Sequence, residues 1–380
     1  MNKALFLAVV PWFCLLTVQA QNPVSYPKDT LVSAPELNFE VLWYTFEDNY
    51  AFFKLRHIDW HQAYRQYRPR IKSTTTPDSL YAVFSAMLTP FQDNHINVIV
   101  PGEKQFKSVK PSRFAQEFPT DNLRAQFWAM VDQTLARNGF GPLQALGPAF
   151  HGQPLFRYAV SPRLAYLRFN RCFVDQDADN KVDAVALGQL LDTLFPQFAK
   201  SQALLIDVRD NIGGNDEFGF EIAGRFTSQK VTALYKQTRK RGGGYDELEA
   251  PETWVIEPRG KTPYPGQVVL LTNDKTVSAG DVFALIMRQL PCTQLIGENT
   301  RGIYSDMYGF TLPNKWLISL SNQRYYDAKR VCYEGTGTPV DVLVKNTRQD
   351  LVSGVDPVVT RALAALQKRP SPRTLHAAKQ

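Results

Sequence analysis

The stretch from Gly266 to Leu290 reads GQVVLLTNDKTVSAGDVFALIMRQL. Its first part is a short apolar run of the kind that forms a buried strand. After Ser278 the apolar residues Val282, Phe283, Ile286 and Leu290 recur at helical spacing. A lone serine therefore stands where a strand turns into a helix, with Ala279 and Gly280 directly behind it. Two readings of Ser278 are open. Its oxygen caps the helix by accepting an orphan backbone N–H, or it is a nucleophile raised at the sheet edge and pointed at a cleft.

A second strand end of the same kind lies upstream, in LLIDVRDNIGGND from Leu204. Gly213-Gly214 lets backbone N–H groups come close to a reacting atom, and a helix predicted near Phe218 to Phe226 follows. In open α/β sheets ligands bind beyond the carboxyl ends of the strands. Ser278 together with the N–H groups of Ala279, Gly213 and Gly214 would supply a nucleophile and oxyanion donors, the minimum for acyl transfer. A glycine turn beside a helix cap is the plainer alternative.

Around these two ends, strands and helices alternate. A hairpin is expected from LFRYAV and LAYLRFNRCF about Ser161-Pro162-Arg163, then a helix from Val185 to Phe198. Further on come the strand TQLIGENT, a hairpin around KWLISLSNQRYY and a last helix from Asp356 to Leu366. This order predicts an α/β core over 155–368 with a mainly parallel sheet and crossover helices. Residues 21–100 read as a helical cap subdomain. Phe39, Leu42, Trp43, Phe46, Tyr50 and Phe53 share one face, Asp59 caps a second helix, and Thr76-Pro77 opens a third. Between cap and core, 101–154 reads as a connector with one clear helix from Asp121 to Asn138-Gly139.

Both ends of the chain are set apart. Residues 1–20 carry a basic start, an apolar run and VQA before Gln21, the pattern of a secretory signal peptide. Export to the periplasm or the extracellular space is expected, with release rather than a membrane anchor. Residues 369–380 form a polar tail that holds His376. The net charge of +7 is modest over 380 residues. The densest basic run, KQTRKRGGG from Lys236, reads as an exposed loop, and no nucleic-acid partner is expected. Past the leader, Cys172, Cys292 and Cys332 remain, an odd number that allows at most one bridge; Cys292–Cys332 is one possibility. No C-x-x-C spacing occurs, and no metal or organic cofactor is expected.

A base must come from elsewhere. His57 and His61 flank Asp59-Trp60 and read as surface or capping residues, and His151 sits in a Gly/Pro-rich connector. His95, in TPFQDNHINVIVPG, differs because it follows Asp93 and directly precedes an apolar, strand-like run.

Taken in order, these pieces resemble the C-terminal processing (tail-specific) and tricorn-core serine peptidases. The cap ends in an aspartate-x-histidine element, and LAYLRFNRCF, LLIDVRDNIGGND, LLTNDKTVSAGDVFA, LIGENTRG and YEGTGTPVDVLV follow. The resemblance covers 36–100 and 160–366, and it implies a crotonase-like/ClpP-like core. It puts Ser278 at the nucleophile position, with Ala279 and the Gly213-Gly214 turn as the oxyanion hole. The processing branch has a lysine base after GENT-x-G, where this chain has Ile303 between Arg301 and Tyr304. Arginine stays protonated and cannot replace it. The tricorn branch instead matches His95 as base and Glu334 as its carboxylate. Asn94 departs from the family's glycine or serine before the histidine, and Asp210 stands where glycine or asparagine is commoner. The 101–154 segment is too short and helical for the PDZ domain of many relatives.

The resemblance implies a serine peptidase acting on peptides or unfolded protein. Its rival is a ligand- or peptide-binding protein on the same fold, with the site vestigial. Acyl-CoA chemistry fits poorly with a leader peptide.

Overall fold

The computed structural model describes residues 23–25 and 32–367. The expected leader at 1–20 and the tail at 369–380, with His376, lie outside them. Among the described residues no helix is long and apolar enough to cross a membrane.

The two quoted strand ends lie side by side. Gln267–Thr272 pairs in parallel with Ala203–Asp207, and Leu271 sits opposite Asp207. They are the centre of a seven-stranded sheet in the order Val342–Leu343, Thr293–Gly297, Gln267–Thr272, Ala203–Asp207, Leu164–Arg168, Gln153–Val160, Gln144–Phe150. The first five strands are parallel, and the last two fold back antiparallel. Central parallel strands are covered on both faces, so their sequences run apolar without a break. Leu204, Ile206, Val268 and Leu270 face the helices Asn180–Phe198, Asp216–Ala223 and Ala279–Met287. Leu205, Val269 and Leu271 face Asp121–Arg137 and Pro357–Gln367. The α/β class with crossover helices is as expected.

The cap is built from more than its N-terminal helices, which run over Ala34–Asn49, Trp60–Tyr67 and Pro77–Leu88. Asp59 caps the second, its carboxylate accepting from the Gln62 N–H at 2.7 Å. The core of the cap, with Phe39, Phe46, Trp60 and Phe91, is completed by Phe310, Trp316, Ile318 and Leu320 from far along the chain. Phe310, Ile318 and Leu320 belong to a four-stranded antiparallel sheet ordered Met307–Thr311, Leu317–Ser321, Asn97–Val100, Lys104–Lys107, and Trp316 directly precedes its second strand. This sheet carries His95 at its margin, and the Ser319 hydroxyl donates to the His95 carbonyl at 2.6 Å.

Several local expectations are corrected. KWLISLSNQRYY forms no hairpin: Leu317–Ser321 pairs within the cap, whereas Gln323–Asp327 pairs with Val231–Thr238 in a third sheet that also contains Glu252–Ile256. The alternation of Ile318-Ser319-Leu320-Ser321 gives way to the polar run Asn322-Gln323-Arg324, and the chain changes partner there. The 101–154 segment is more than a connector with one helix. It holds the strand Lys104–Lys107, the short helix Arg113–Glu117 and the core's edge strand Gln144–Phe150. The edge strand was hidden by Gly147 and Pro148, which an edge with a register shift between Leu146 and Ala149 accommodates. The basic run is not simply an exposed loop. Lys236 and Arg239 are buried, Lys236 against Trp254 and Tyr325 and Arg239 against Tyr245. All three cysteines are free thiols, so Cys292 and Cys332 are not bridged.

Candidate active site

Ser278 takes φ 61° and ψ −127°, a conformation that costs a residue with a Cβ about 1–3 kcal/mol. Such strain persists only where the surroundings enforce it. Here the Ser278 N–H is held by the Ile303 carbonyl at 3.2 Å and by an Asp281 carboxylate oxygen at 3.1 Å. Asp281 is fully buried and also accepts from the Gly302 and Ile303 N–H groups, at 2.8 and 3.1 Å. Burial pushes its carboxyl up to about 6, against the pull of these donors. One carboxylate thus ties the serine turn to the 302–303 loop. The Ser-x-x-Asp spacing, a helix-start pattern, is its signal in the sequence.

The strained turn brings Ser278 to the histidine expected from the cap. His95 Nε2 lies 3.2 Å from Ser278 Oγ across 183 residues of chain. His95 is buried, and burial lowers its imidazole to about 4 despite the opposing charge of Asp93. Near neutrality the ring is therefore uncharged and able to accept a proton. A ring titrating at 6.5 when unfolded and near 4 when folded makes the unfolded chain bind more protons in that window. Stability should then decline as pH falls from about 6.5 to about 4, by up to about 3 kcal/mol. NMR titration of the His95 ring is expected to give a midpoint near 4; a midpoint near 6.5 would contradict the burial argument.

Glu334 is not in contact with this pair. One oxygen pairs with Arg56 at 2.7 Å, and the other accepts from the Tyr304 N–H at 2.9 Å. Arg56 also donates to the Phe91 and Gln92 carbonyls and lies 3.9 Å from Asp93. Asp93 in turn accepts from the His95 N–H at 3.0 Å. Glu334 thus reaches the histidine segment only through Arg56 and Asp93, and His95 Nδ1 has no partner among the described residues. Burial raises the Glu334 carboxyl, while the adjacent Arg56 opposes that shift.

The two glycines take different parts. The Gly213 N–H donates to Asn211 Oδ1 at 2.8 Å, so it is already used. What Gly213 contributes is the lack of a side chain, because a Cβ there would lie 2.6 Å from Ser278 Cβ. No hydrogen bond engages the N–H of Gly214 or of Ala279 among the described residues, so these two amides remain available to an oxyanion. Asn211, unremarked in the sequence, is buried and joins the strand ends: its carbonyl also accepts from the Val277 N–H. Asn94 Oδ1 accepts from Lys110 N at 3.2 Å and from Arg301 Nε at 3.3 Å, which links the cap to the core. Asp210 has φ 69°, which accounts for the glycine or asparagine expected there.

The remaining histidines lie elsewhere. His57 and His61 form the one H-x-x-x-H spacing in the chain, which the expectation of no metal site overlooked. His61 pairs with Glu47 at 3.2 Å. Among the described residues no group of three or more His, Cys, Asp and Glu could hold a metal ion.

A strained serine between strand and helix, a neutral histidine at its hydroxyl and free amides beside it, on this fold, are the parts that a serine-type peptidase needs. The comparisons agree. Residues 163–344 match peptidase family S41, and residues 34–89 match the tricorn protease C1 domain. The chain is thus similar to peptidase family S41 over a little under half of its length, and to tricorn protease in its N-terminal part. Tricorn protease of Thermoplasma acidophilum is 29% identical over 179 residues, 46% of this chain but only 15% of that protein. The crystal structure of a candidate peptidase from Parabacteroides merdae aligns at 26% identity with a TM-score of 0.72, over 89% of this chain and 98% of that one. Mature CPAF complexed with lactacystin shares the fold at 11% identity, with a TM-score of 0.60 over 87% and 97% of the two chains.

Proposed function

We propose that the protein is an exported serine peptidase in which Ser278 attacks a peptide carbonyl and His95 is the base. The observation that carries this reading is the 3.2 Å approach of His95 Nε2 to the hydroxyl of a strained serine. As Ser278 Oγ bonds to the carbonyl carbon, its proton passes to His95 Nε2. The oxyanion is received by the Gly214 and Ala279 N–H groups, a donor of this kind being worth about 3 kcal/mol in the barrier. Collapse breaks the C–N bond, and His95 returns the proton to the leaving amine. Water, activated by the same imidazole, then cleaves the acyl-enzyme. Glu334 acts at one remove: paired with Arg56, it steadies the Asp93–His95 segment. Peptides or unfolded protein are the substrates this chemistry takes. Export is supported by the basic start, apolar run and VQA of residues 1–20.

The test is fluorophosphonate labelling of protein recovered from the exported fraction, whose N-terminus is expected at Gln21. Wild type should label, and Ser278→Ala and His95→Ala should not. Labelling lost only in Ser278→Ala keeps the nucleophile and removes His95 as base. No labelling of a folded protein favours a ligand-binding role on the same fold, and an N-terminus still at Met1 removes export.

A further inference from the structure

A cavity of about 320 Å³ opens where the 101–154 segment meets the loop before Ile303 and the edge strand Val342–Leu343. Three cations face it, Lys110, Arg301 and Lys345, together with two acids, Asp274 and Glu298. The acids are already engaged. Glu298 accepts from Arg113 Nε at 2.6 Å and pairs with the same guanidinium through Nη2. Asp274 accepts from the Ser112 hydroxyl at 2.8 Å and from the Arg113 and Phe114 N–H groups at 2.5 and 3.2 Å.

The cations are not neutralised. Arg301 is only 5% exposed, and its guanidinium donates to Asn94 Oδ1 and to the main-chain carbonyls of Asp274 and Lys110. The Lys110 ammonium donates to the carbonyls of Arg301 and Gly335, both at 2.6 Å. Carbonyl dipoles solvate a charge without cancelling it. The Lys345 ammonium has no partner among the described residues. Burial lowers both Lys110 and Arg301 below their ordinary values, the direction expected of a cation short of counter-charge. A guanidinium has five N–H groups and an ammonium three, so donors are left over on all three side chains. What the wall lacks is a set of acceptor oxygens carrying negative charge. The two carboxylates disfavour a long polyanion and leave a single phosphate or carboxylate group as the charge the site suits.

The cavity adjoins three segments that hold the catalytic residues. Asn94, bound by Arg301, precedes His95. Gly302, next after Arg301, donates to the same Asp281 carboxylate that holds the Ser278 N–H. Gly335, bound by Lys110, follows Glu334 and donates to the Gly302 carbonyl at 2.7 Å. Lys110 and Arg301 are like charges in this joint, and each disfavours the other's proton. We propose that the cavity binds one small anion bearing a phosphate or carboxylate group, which joins Lys110, Arg301 and Lys345 and locks the cap-to-core joint beside Ser278 and His95. An anion between the two buried cations replaces their repulsion by attraction to a common partner.

Calorimetry and thermal melts with inorganic phosphate and with succinate, each against sodium chloride at equal ionic strength, provide the test. Fluorophosphonate labelling is run in parallel. One anion per chain should bind with a Kd of about 0.1–1 mM. A hundredfold excess over Kd should raise Tm by about 3 °C. The labelling rate should rise at least threefold. Binding of phosphate alone assigns a phosphate group to the ligand, and binding of succinate alone a carboxylate. Lys345→Glu removes a side chain without partners, so the fold should be kept; it should weaken binding at least tenfold and leave labelling without anion unchanged. Lys110→Gln, which keeps a donor but no charge, should abolish binding. Neither anion exceeding sodium chloride, or binding untouched by both variants, overturns the site. Binding with no change in labelling rate overturns the lock. Protein that does not label at all fails the peptidase reading, while calorimetry and melts still decide the anion site.

Discussion

Ser278→Ala is expected to reduce peptide hydrolysis about 10⁴-fold or more, with the protein still folded. The loss follows from geometry: Oγ is the only atom removed, and it is the atom 3.2 Å from His95 Nε2. The residue's backbone strain is not removed with it, since alanine keeps a Cβ at φ 61°. Ser278→Ala should therefore melt close to wild type. Ser278→Gly, which has no Cβ to strain, should be the more stable of the two variants by about 1 kcal/mol. Kinetics on a peptide amide and thermal melts of the three proteins check both statements. Turnover within tenfold of wild type in Ser278→Ala would mean that the strained serine is not the nucleophile. Equal stability of the Ala and Gly variants would mean that the turn stores no strain.

Gly213→Ala should be nearly as damaging, for a different reason. The new Cβ would lie 2.6 Å from Ser278 Cβ and 2.8 Å from the Val277 carbonyl oxygen, at a backbone φ of +84°. The obstacles are the Cβ of Ser278 and the main chain of its turn, so relief must come from moving that turn. A shift of a few tenths of an ångström there breaks the alignment of Oγ, imidazole and amides. Activity is expected to fall about 10³-fold and stability by about 2–5 kcal/mol. Gly102→Ala is the matched control. It shares a positive φ, +74°, but its Cβ would meet nothing within 4 Å. It should cost about 1 kcal/mol and little activity. Equal losses in the two variants would show that φ strain alone, and not the collision with Ser278, sets the requirement for glycine.

The parts of this protein that were legible before folding share one property: their signals are local. The run VVLL from Val268 can be recognised as a doubly covered parallel strand because every residue is apolar. The helix after Ser278 is visible in a 3.6-residue period. His95 stood out from the other histidines by position, just before an apolar run. Family resemblance then supplied its role, which no spacing could. The misreadings have the opposite character. KWLISLSNQRYY reads as strand on both sides of Asn322, yet Leu317–Ser321 and Gln323–Asp327 serve different sheets, because a strand-like pattern does not name its partner. QALGPAF was hidden by a glycine and a proline that only an edge strand tolerates.

The sequence by itself determined the α/β class, the serine at its strand-to-helix junction and the glycine turn beside it, and it set His95 apart from the other histidines. Tertiary structure decided which of these groups are free to act. An amide's acceptor is chosen by three-dimensional proximity, so only the fold could show Gly213 N–H given to Asn211 while no such bond engages Gly214 and Ala279. A carboxylate binds the nearest cation, so only the fold could show Glu334 on Arg56 rather than on His95. The histidine's proton affinity depends on how much water it keeps. Burial takes that water away, and an imidazole that titrates near 6.5 in water is held near 4 instead.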